Sequence, residues 1–543
     1  MNMDRTRIIF IAIISIAFMA ICGVVTVNLF KGDGDEQTDV IVETAATLPA
    51  SNNGSSSAPV VELDSPEPIW GANRDTALPD YICGADAFGS YFTLQQMQMA
   101  GKDIEHGFNL GIVPFFLDDD PAYDVSESQR TALLNSGQWD CLLTTLDSVA
   151  LKSPGVITAI VDESAGADQL WARDVETIND LKGKRIAFSQ GSVGEYFVYY
   201  TLSIAQLSPR SEVTLVPQDS VADAVAAFNN GQADVVSGWE PDIYDAEAGG
   251  GVPLMSSNQL RIVVDTIVTS RQSIADEADL VQDFHNAWFD TLKSQVEDFD
   301  TASAQIAEWG HNDWSFVYPE SATDDFALWL ESVAQADLGD NAFVMRDTRP
   351  IVSRLEIARR VWAASDANPA AGDVNELVNP GFVLRAAEQA SLQANGNPQN
   401  DSFSISAQVD LSSVATEDAA TLGVLPCRSF AFLPESTELT LESRRILDSC
   451  VVPTLSQSVG LFLRVEGSSA WPSHEPPWTE ADILEVAEGR AQSVVDYLVS
   501  QEIDPARFIV VAVLPADDHR NTDDPNLQAE DRYVELTLIT AGR

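Results

Sequence analysis

Four short segments gather polar residues of the kind that meet a small molecule. LLTTLDS carries Thr145 and Asp147, DESAGAD carries Asp162 and Ser164, FSQGSVGEY carries Ser192, and GWEPD carries Trp239 and Glu240. Hydroxyls and carboxylates placed where apolar runs give way to turns can hold a solute by hydrogen bonds and counter-charge, and an indole can wall it. The chemistry such a set supports is recognition. Catalysis finds no footing: His106, His285, His311, His474 and His519 are scattered, so no metal site, cofactor site or nucleophile–base pair can be placed. A capping residue alone could do no more than close its own helix, and Trp239 alone could be a core aromatic, so the expectation rests on the set.

These segments need elements that bring them together. Between residues 69 and 364, apolar runs of strand character at 108–116, 141–145, 157–161, 185–189, 213–217, 235–239 and 262–268 alternate with helical patterns such as 221–229 and 277–296. That alternation predicts an α/β domain, in which ligands bind where strands hand over to loops at the carboxyl edge of the sheet. LLTTLDS and the Gly191-Ser192 pair each open a helix there and expose backbone N–H groups. The sign of the solute's charge stays open. Asp147, Asp162, Glu195 and Glu240, with Trp239 as a cation–π wall, favour a neutral or cationic solute, whereas the helix N-termini favour an anion.

At 543 residues the chain exceeds the size of one hydrophobic core, so two or three domains are expected. The 83 acidic residues against 30 basic ones give a net charge of -53, which excludes nucleic acid as a partner because no basic patch exists to neutralise phosphates. The acidity reads as a highly solvated surface or as a surface for a cationic partner. Beyond Cys22, the cysteines fall two to each folded region, permitting Cys83–Cys141 and Cys427–Cys450 bridges in an oxidising compartment or four buried thiols otherwise.

The N-terminus indicates the compartment. Residues 8–30 carry no charge and, at about 1.5 Å per residue, span a hydrocarbon core of ~30 Å as a helix. Arg5 and Arg7 precede the run while Asp33, Asp35, Glu36 and Asp39 follow it, so residues 1–7 are expected in the cytoplasm and the bulk outside it, at the cell membrane. A cleaved signal peptide wants a shorter apolar core, and a lipoprotein anchored at Cys22 wants a small residue where Ile21 stands. Residues 31–68, with NNGSSSAP, read as a flexible acidic linker of reach on the order of 30 to 35 Å. Residues 365–422 read as a connector and 423–543 as a compact α/β unit, with strands in FAFL, GLFLRVEG, FIVVAVL and YVELTLI and helices in LTLESRRILDSCVVPTL and ILEVAEGRAQSVVDYLVSQ.

In order, LLNSGQWDCLLTTLDSVAL, VITAIVDESAGADQLWAR, INDLKGKRIAFSQGSVGEYFVYYTL, VADAVAAFNNGQADVVSGWEPDI and RIVVDTIVTSR resemble the periplasmic solute-binding proteins of the nitrate, taurine, aliphatic-sulfonate and thiamine-pyrimidine type. The resemblance implies a two-lobed type II fold closing on one solute, which passes to an ABC permease. It places Thr145, Asp147, Asp162, Ser164, Ser192, Trp239 and Glu240 at the cleft. Lobe one would be about 69–161 with 260–364, and lobe two about 165–255. The synthase of the thiamine-pyrimidine branch needs an iron-associated Cys cluster, which is absent, so no enzyme is expected. A solute sensor or wall tether uncoupled from transport remains the alternative.

The C-terminal unit resembles an OmpA-like domain through FLPESTEL, RVEG, GRAQSVVDYLVSQEIDPARF and EDRYVEL. That family holds peptidoglycan diaminopimelate with an Asp and an Arg. Arg490 matches the Arg and Arg532 is kept, but Ala470 stands at the Asp position and Tyr533 replaces a second Arg, so only half of the clamp remains.

Overall fold

The computed structural model describes residues 65–86, 88–115, 123, 125–313, 330, 332–365, 367–390, 421–425, 427, 432–458, 461–473 and 477–539. The expected membrane anchor at 8–30 and most of the linker lie outside these. Among the described residues no helix is long and apolar enough to cross a membrane.

Two sheets build the main part of the chain. The first contains β1 (Ile69–Trp70), β2 (Asp80–Ala85), β3 (Asn109–Pro114), β4 (Cys141–Thr145) and β5 (Val156–Ser164), joined late in sequence by β11 (Val264–Thr269) and β12 (Val333–Gln335). The second contains β6 (Asp168–Ala172), β7 (Arg185–Ser189), β8 (Thr214–Gln218), β9 (Val235–Trp239) and β10 (Val252–Ser256). Their orders are β1-β3-β2-β4-β11-β5-β12 and β10-β6-β9-β7-β8. All nine residues of β5, VITAIVDES, are buried, which is why its first six positions show no alternation of apolar and polar residues, while Asp162, Glu163 and Ser164 are polar groups buried at its end. The chain crosses between the sheets twice, at 165–167 and at 257–263, so two lobes share a double hinge.

The hinge is tied by side chains that sequence periodicity does not single out. The Ser257 hydroxyl lies 2.7 Å from that of Ser164 and accepts from the amides of Gly166 at 2.9 Å and Asp168 at 3.2 Å, stitching one crossover to the other. Beside it, fully buried Glu163 meets Arg354 at 3.1 Å and Arg261 at 3.7 Å. Arg354 comes from the Arg349–Ala364 helix, whose Pro350 occupies the first turn where a missing N–H costs nothing.

The first part of the stretch read as a connector is folded onto lobe one. Asn379 donates to the Ile157 carbonyl at 2.8 Å, and the Phe382 ring stacks on His285 with centroids 5.4 Å apart. His285 is wholly buried, and desolvation pushes it down to about 4, so it serves as a neutral core residue.

The smaller unit has the sheet order β13-β16-β14-β15, from β13 (Thr421–Val424), β14 (Phe462–Ser468), β15 (Phe508–Val513) and β16 (Val534–Ile539). The expectation that FAFL opens this sheet is corrected here. Its described residues Phe432 and Leu433 are not in a strand, and the edge position goes to TLGV instead. The Glu480–Ser500 helix starts at a Thr479/Asp482 capping box and packs so close to β14 that a Cβ on Gly467 would fall 2.1 Å from the Ala487 carbonyl oxygen. This unit docks on lobe two: the buried Tyr200 hydroxyl lies 2.8 Å from that of Ser458, and Asn179 makes two hydrogen bonds with the Val424 backbone.

Both cysteine pairs are bonded, Cys83 to Cys141 with Cα atoms 4.5 Å apart and Cys427 to Cys450 at 6.5 Å. The first joins register partners on adjacent parallel strands.

Candidate functional site

A cavity of about 100 Å³ opens between the two lobes. From lobe one it receives Asp86 beyond the end of β2, Phe115 beyond β3, Thr144 and Thr145 at the end of β4, and Asp265 on β11. From lobe two it receives Asp168 on β6, Ser192 and Val193 at a helix start, and Trp239 at the end of β9. Phe88, Tyr91, Glu127, Arg130, Leu143, Ser148 and Val263 complete the wall.

Of the seven residues singled out in the sequence, Thr145, Ser192 and Trp239 line this cavity and Asp147, Asp162, Ser164 and Glu240 do not. Each exclusion has a structural cause. Asp147 sits in the first turn of the Leu146–Lys152 helix and is buried without reaching the cavity wall, though its charge acts on Asp168 and Tyr196 of lobe two. Asp162 is fully buried on β5, directly opposite Asp265 in the ladder, and behind the wall that Asp265 forms. Ser164 is spent on the hinge through Ser257. Glu240 accepts from the hydroxyl of Tyr244 and, at 3.4 Å, from Gln169, within lobe two.

The replacements are Asp168 and Asp265. A sequence signal for both exists, since each is a carboxylate inside an otherwise apolar strand, in ADQLW and RIVVDTIVTS. Phe88, Tyr91 and Arg130 carry no comparable signal. Asp168 is the ladder partner of Trp239, which puts acid and indole side by side in lobe two. Asp265 faces Thr145 across the ladder and accepts from the Tyr91 hydroxyl.

Electrostatically the cleft is bordered by buried acids, Asp168 and Asp265 in its wall and Asp147 and Asp162 behind it. Desolvation raises Asp168 to about 8, helped by the charges of Asp265, Asp147 and Glu240. Desolvation also raises Asp147 to about 7 and Asp265 to about 6, the Tyr91 hydrogen bond opposing it in the latter. Asp162 is pushed well up by burial and by Asp265 beside it, since two carboxylates in one desolvated site do not both ionise readily. Arg130, the basic residue in the wall, is engaged: its Nε donates to the Val125 carbonyl at 2.7 Å and its guanidinium lies 3.8 Å over the Phe115 ring. Among the described residues no group of three or more His, Cys, Asp or Glu is arranged to hold a metal ion.

In the smaller unit Arg490 is fully buried, and its guanidinium donates to the carbonyls of Ser436 at 3.0 Å, Ser468 at 2.9 Å and Leu433 at 3.3 Å. Its place is structural. Arg532 lies near it, half-buried.

Two lobes with a double crossover and a cleft between sheet edges define the class: a two-lobed α/β binding fold. Residues 154–300 match the family model described as NMT1/THI5 like, so the chain carries an NMT1/THI5-like domain. No curated protein matches. Among solved structures, the alkanesulfonate-binding protein SsuA from Xanthomonas axonopodis pv. citri, bound to MOPS, is 19% identical over 56% of this chain and 98% of its own, with a TM-score of 0.42. The periplasmic nitrate-binding protein NrtA from Synechocystis PCC 6803 is 13% identical over 60% and 92%, with a TM-score of 0.43. The desulfurization enzyme DSZB is 14% identical over 57% and 99%, with a TM-score of 0.40.

Proposed function

We propose that this chain is a membrane-anchored, extracytoplasmic solute-binding receptor that delivers a small solute to an ABC-type permease. One observation carries the reading. Residues separated by up to 179 positions, from Asp86 to Asp265, converge on one cavity between two lobes, and neither helix capping nor core packing requires that convergence. The NMT1/THI5-like match supports it. The uncharged run at 8–30 supports the anchor.

A melting screen of the full chain against small anions, neutral compounds and cations tests the receptor. A bound solute is expected to stabilise the fold by ~2.7 kcal/mol at a hundredfold excess over its dissociation constant, and Trp239→Ala should remove that gain while leaving the unliganded melt in place. A panel with no stabilising member counts against the reading.

Peptide mapping of protein purified from membranes without reductant tests the location. The expected result is an N-terminal peptide that begins ahead of Ile8 together with cross-linked Cys83–Cys141 and Cys427–Cys450 peptides. A mature chain starting beyond Phe30, or free thiols at all four positions, would refute it.

A second reading, a solute sensor or peptidoglycan tether uncoupled from transport, is favoured by the docking of the smaller unit on lobe two, which carries that unit along with any lobe movement. For an OmpA-like wall contact the commitment of Arg490 to carbonyls leaves Arg532 as the basic group to meet a ligand.

A further inference from the structure

We propose that the solute is an organic cation, an ammonium compound with an apolar face, held by Asp168 and Asp265 against Trp239, Tyr91 and Phe88. The proposal rests on the receptor reading and names its substrate class.

Charge decides first. Asp168 and Asp265 line the cavity with exposures of 4% and 3%, and buried carboxylates cost several kcal/mol each unless an opposite charge meets them. The charges that act on Asp168 are other acids, namely Asp265, Asp147 and Glu240, and the groups that ease Asp265 are Tyr91 and Asp162, all of them uncharged or acidic. The protein therefore lines the cleft with acids that burial biases toward the protonated form, without supplying the cation that would favour their ionised form. Arg130 does not answer them, being held by Val125 and Phe115 and lying 4.0 Å from Glu127.

An anion is disfavoured at one of the two helix starts that face the cleft. A sulfonate or nitrate seated on the Val193–Ile204 helix would need free amides at its start. There the Gly194 amide is taken by the Ser192 hydroxyl at 3.1 Å and the Gly191 amide by the Glu195 carboxylate at 2.6 Å. An incoming anion would have to displace a carboxylate already seated on that helix end.

The aromatic walls then give the shape of the cation. Phe115 has one face covered by Arg130, whereas Trp239, Tyr91 and Phe88 line the cavity beside the acids, with Phe88 and Tyr91 edge to face at 5.5 Å. Aromatic side chains beside carboxylates suit a weakly hydrated ammonium with an attached ring or alkyl group. A metal ion is disfavoured because no three donors converge among the described residues.

Calorimetry on the full chain with benzyltrimethylammonium, benzyl alcohol and benzenesulfonate tests this. The ammonium is expected to bind at least ~10-fold more tightly than either, and Asp168→Asn to weaken it by ~10-fold or more, as for one lost desolvated charge contact of at least ~1.4 kcal/mol. Asp265→Asn is the parallel variant should the first fail to fold. Because the probe keeps its charge at every pH, its affinity should rise between pH 6 and pH 8 as the acids ionise. Preferential binding of benzenesulfonate would overturn the cation while leaving the receptor standing. No binding by any of the three would sink both, and ammonium binding unchanged in both variants would overturn the assignment of Asp168 and Asp265.

Discussion

Between pH 5 and pH 8 the unliganded protein is expected to lose stability, and Asp147→Asn is expected to shrink that loss by about 3 kcal/mol, because each tenfold difference in proton affinity between the folded and unfolded states is worth ~1.36 kcal/mol. The sign follows from where the acid sits. Asp147 is raised to about 7 by burial, whereas an unfolded Asp titrates near ~3.9. The folded state therefore holds a proton that the unfolded state has released, and the stability this contributes disappears as pH climbs through the window between the two values. Asp168 and Asp265 add to the same slope, having been raised to about 8 and about 6. Surface repulsion at a net charge of -53 acts in the same sense, so the comparison of wild type with Asp147→Asn isolates the buried group. Urea unfolding at several pH values reads both. A wild-type stability that rises toward pH 8, or an unchanged slope in the variant, would contradict the account.

Arg354→Met is expected to cost about 1–3 kcal/mol, because it removes the nearer of two cations from a fully buried carboxylate and leaves Arg261 at 3.7 Å to answer it in part. Glu163 lies on β5 at the hinge, and Arg354 reaches it at 3.1 Å from a helix far along the chain. The pair need not be worth that much in itself, since two charges buried together can break even against an apolar pair. Leaving the carboxylate with only the more distant Arg261 is what costs. The double variant Glu163→Gln with Arg354→Met should accordingly recover part of the loss, a non-additivity expected of residues in contact. Glu163 does not line the cavity, so a shift in solute affinity that exceeds the stability change would mark the hinge as coupled to closure. A single-variant cost under about 1 kcal/mol would show that the cluster is solvated in solution.

Local pattern carried most of the main fold. Cys141–Thr145, Arg185–Ser189 and Val235–Trp239 are strands with the bounds their apolar runs indicate, and Val221–Asn229 is a helix with the bounds of its periodicity, since burial on a sheet or a helix stripe writes itself into residue order. The edge of the small sheet is not readable in this way. FAFL and TLGV are both short apolar runs, and which of them pairs with β16 depends on what else covers each.

The site divides along the same line. The sequence by itself determined where polar groups meet strand ends, which is why Thr145, Ser192 and Trp239 reach the cavity. It also determined the excess of acid and the scarcity of Lys and Arg to answer it. Only the tertiary structure decided which acids face the cavity. Asp162 and Asp265 are neighbours across one ladder, yet Asp265 lines the cleft and Asp162 lies behind it, because β11 returns from the second crossover to insert between β4 and β5. That insertion joins residues some hundred positions apart, and no periodicity along a single strand encodes its neighbour.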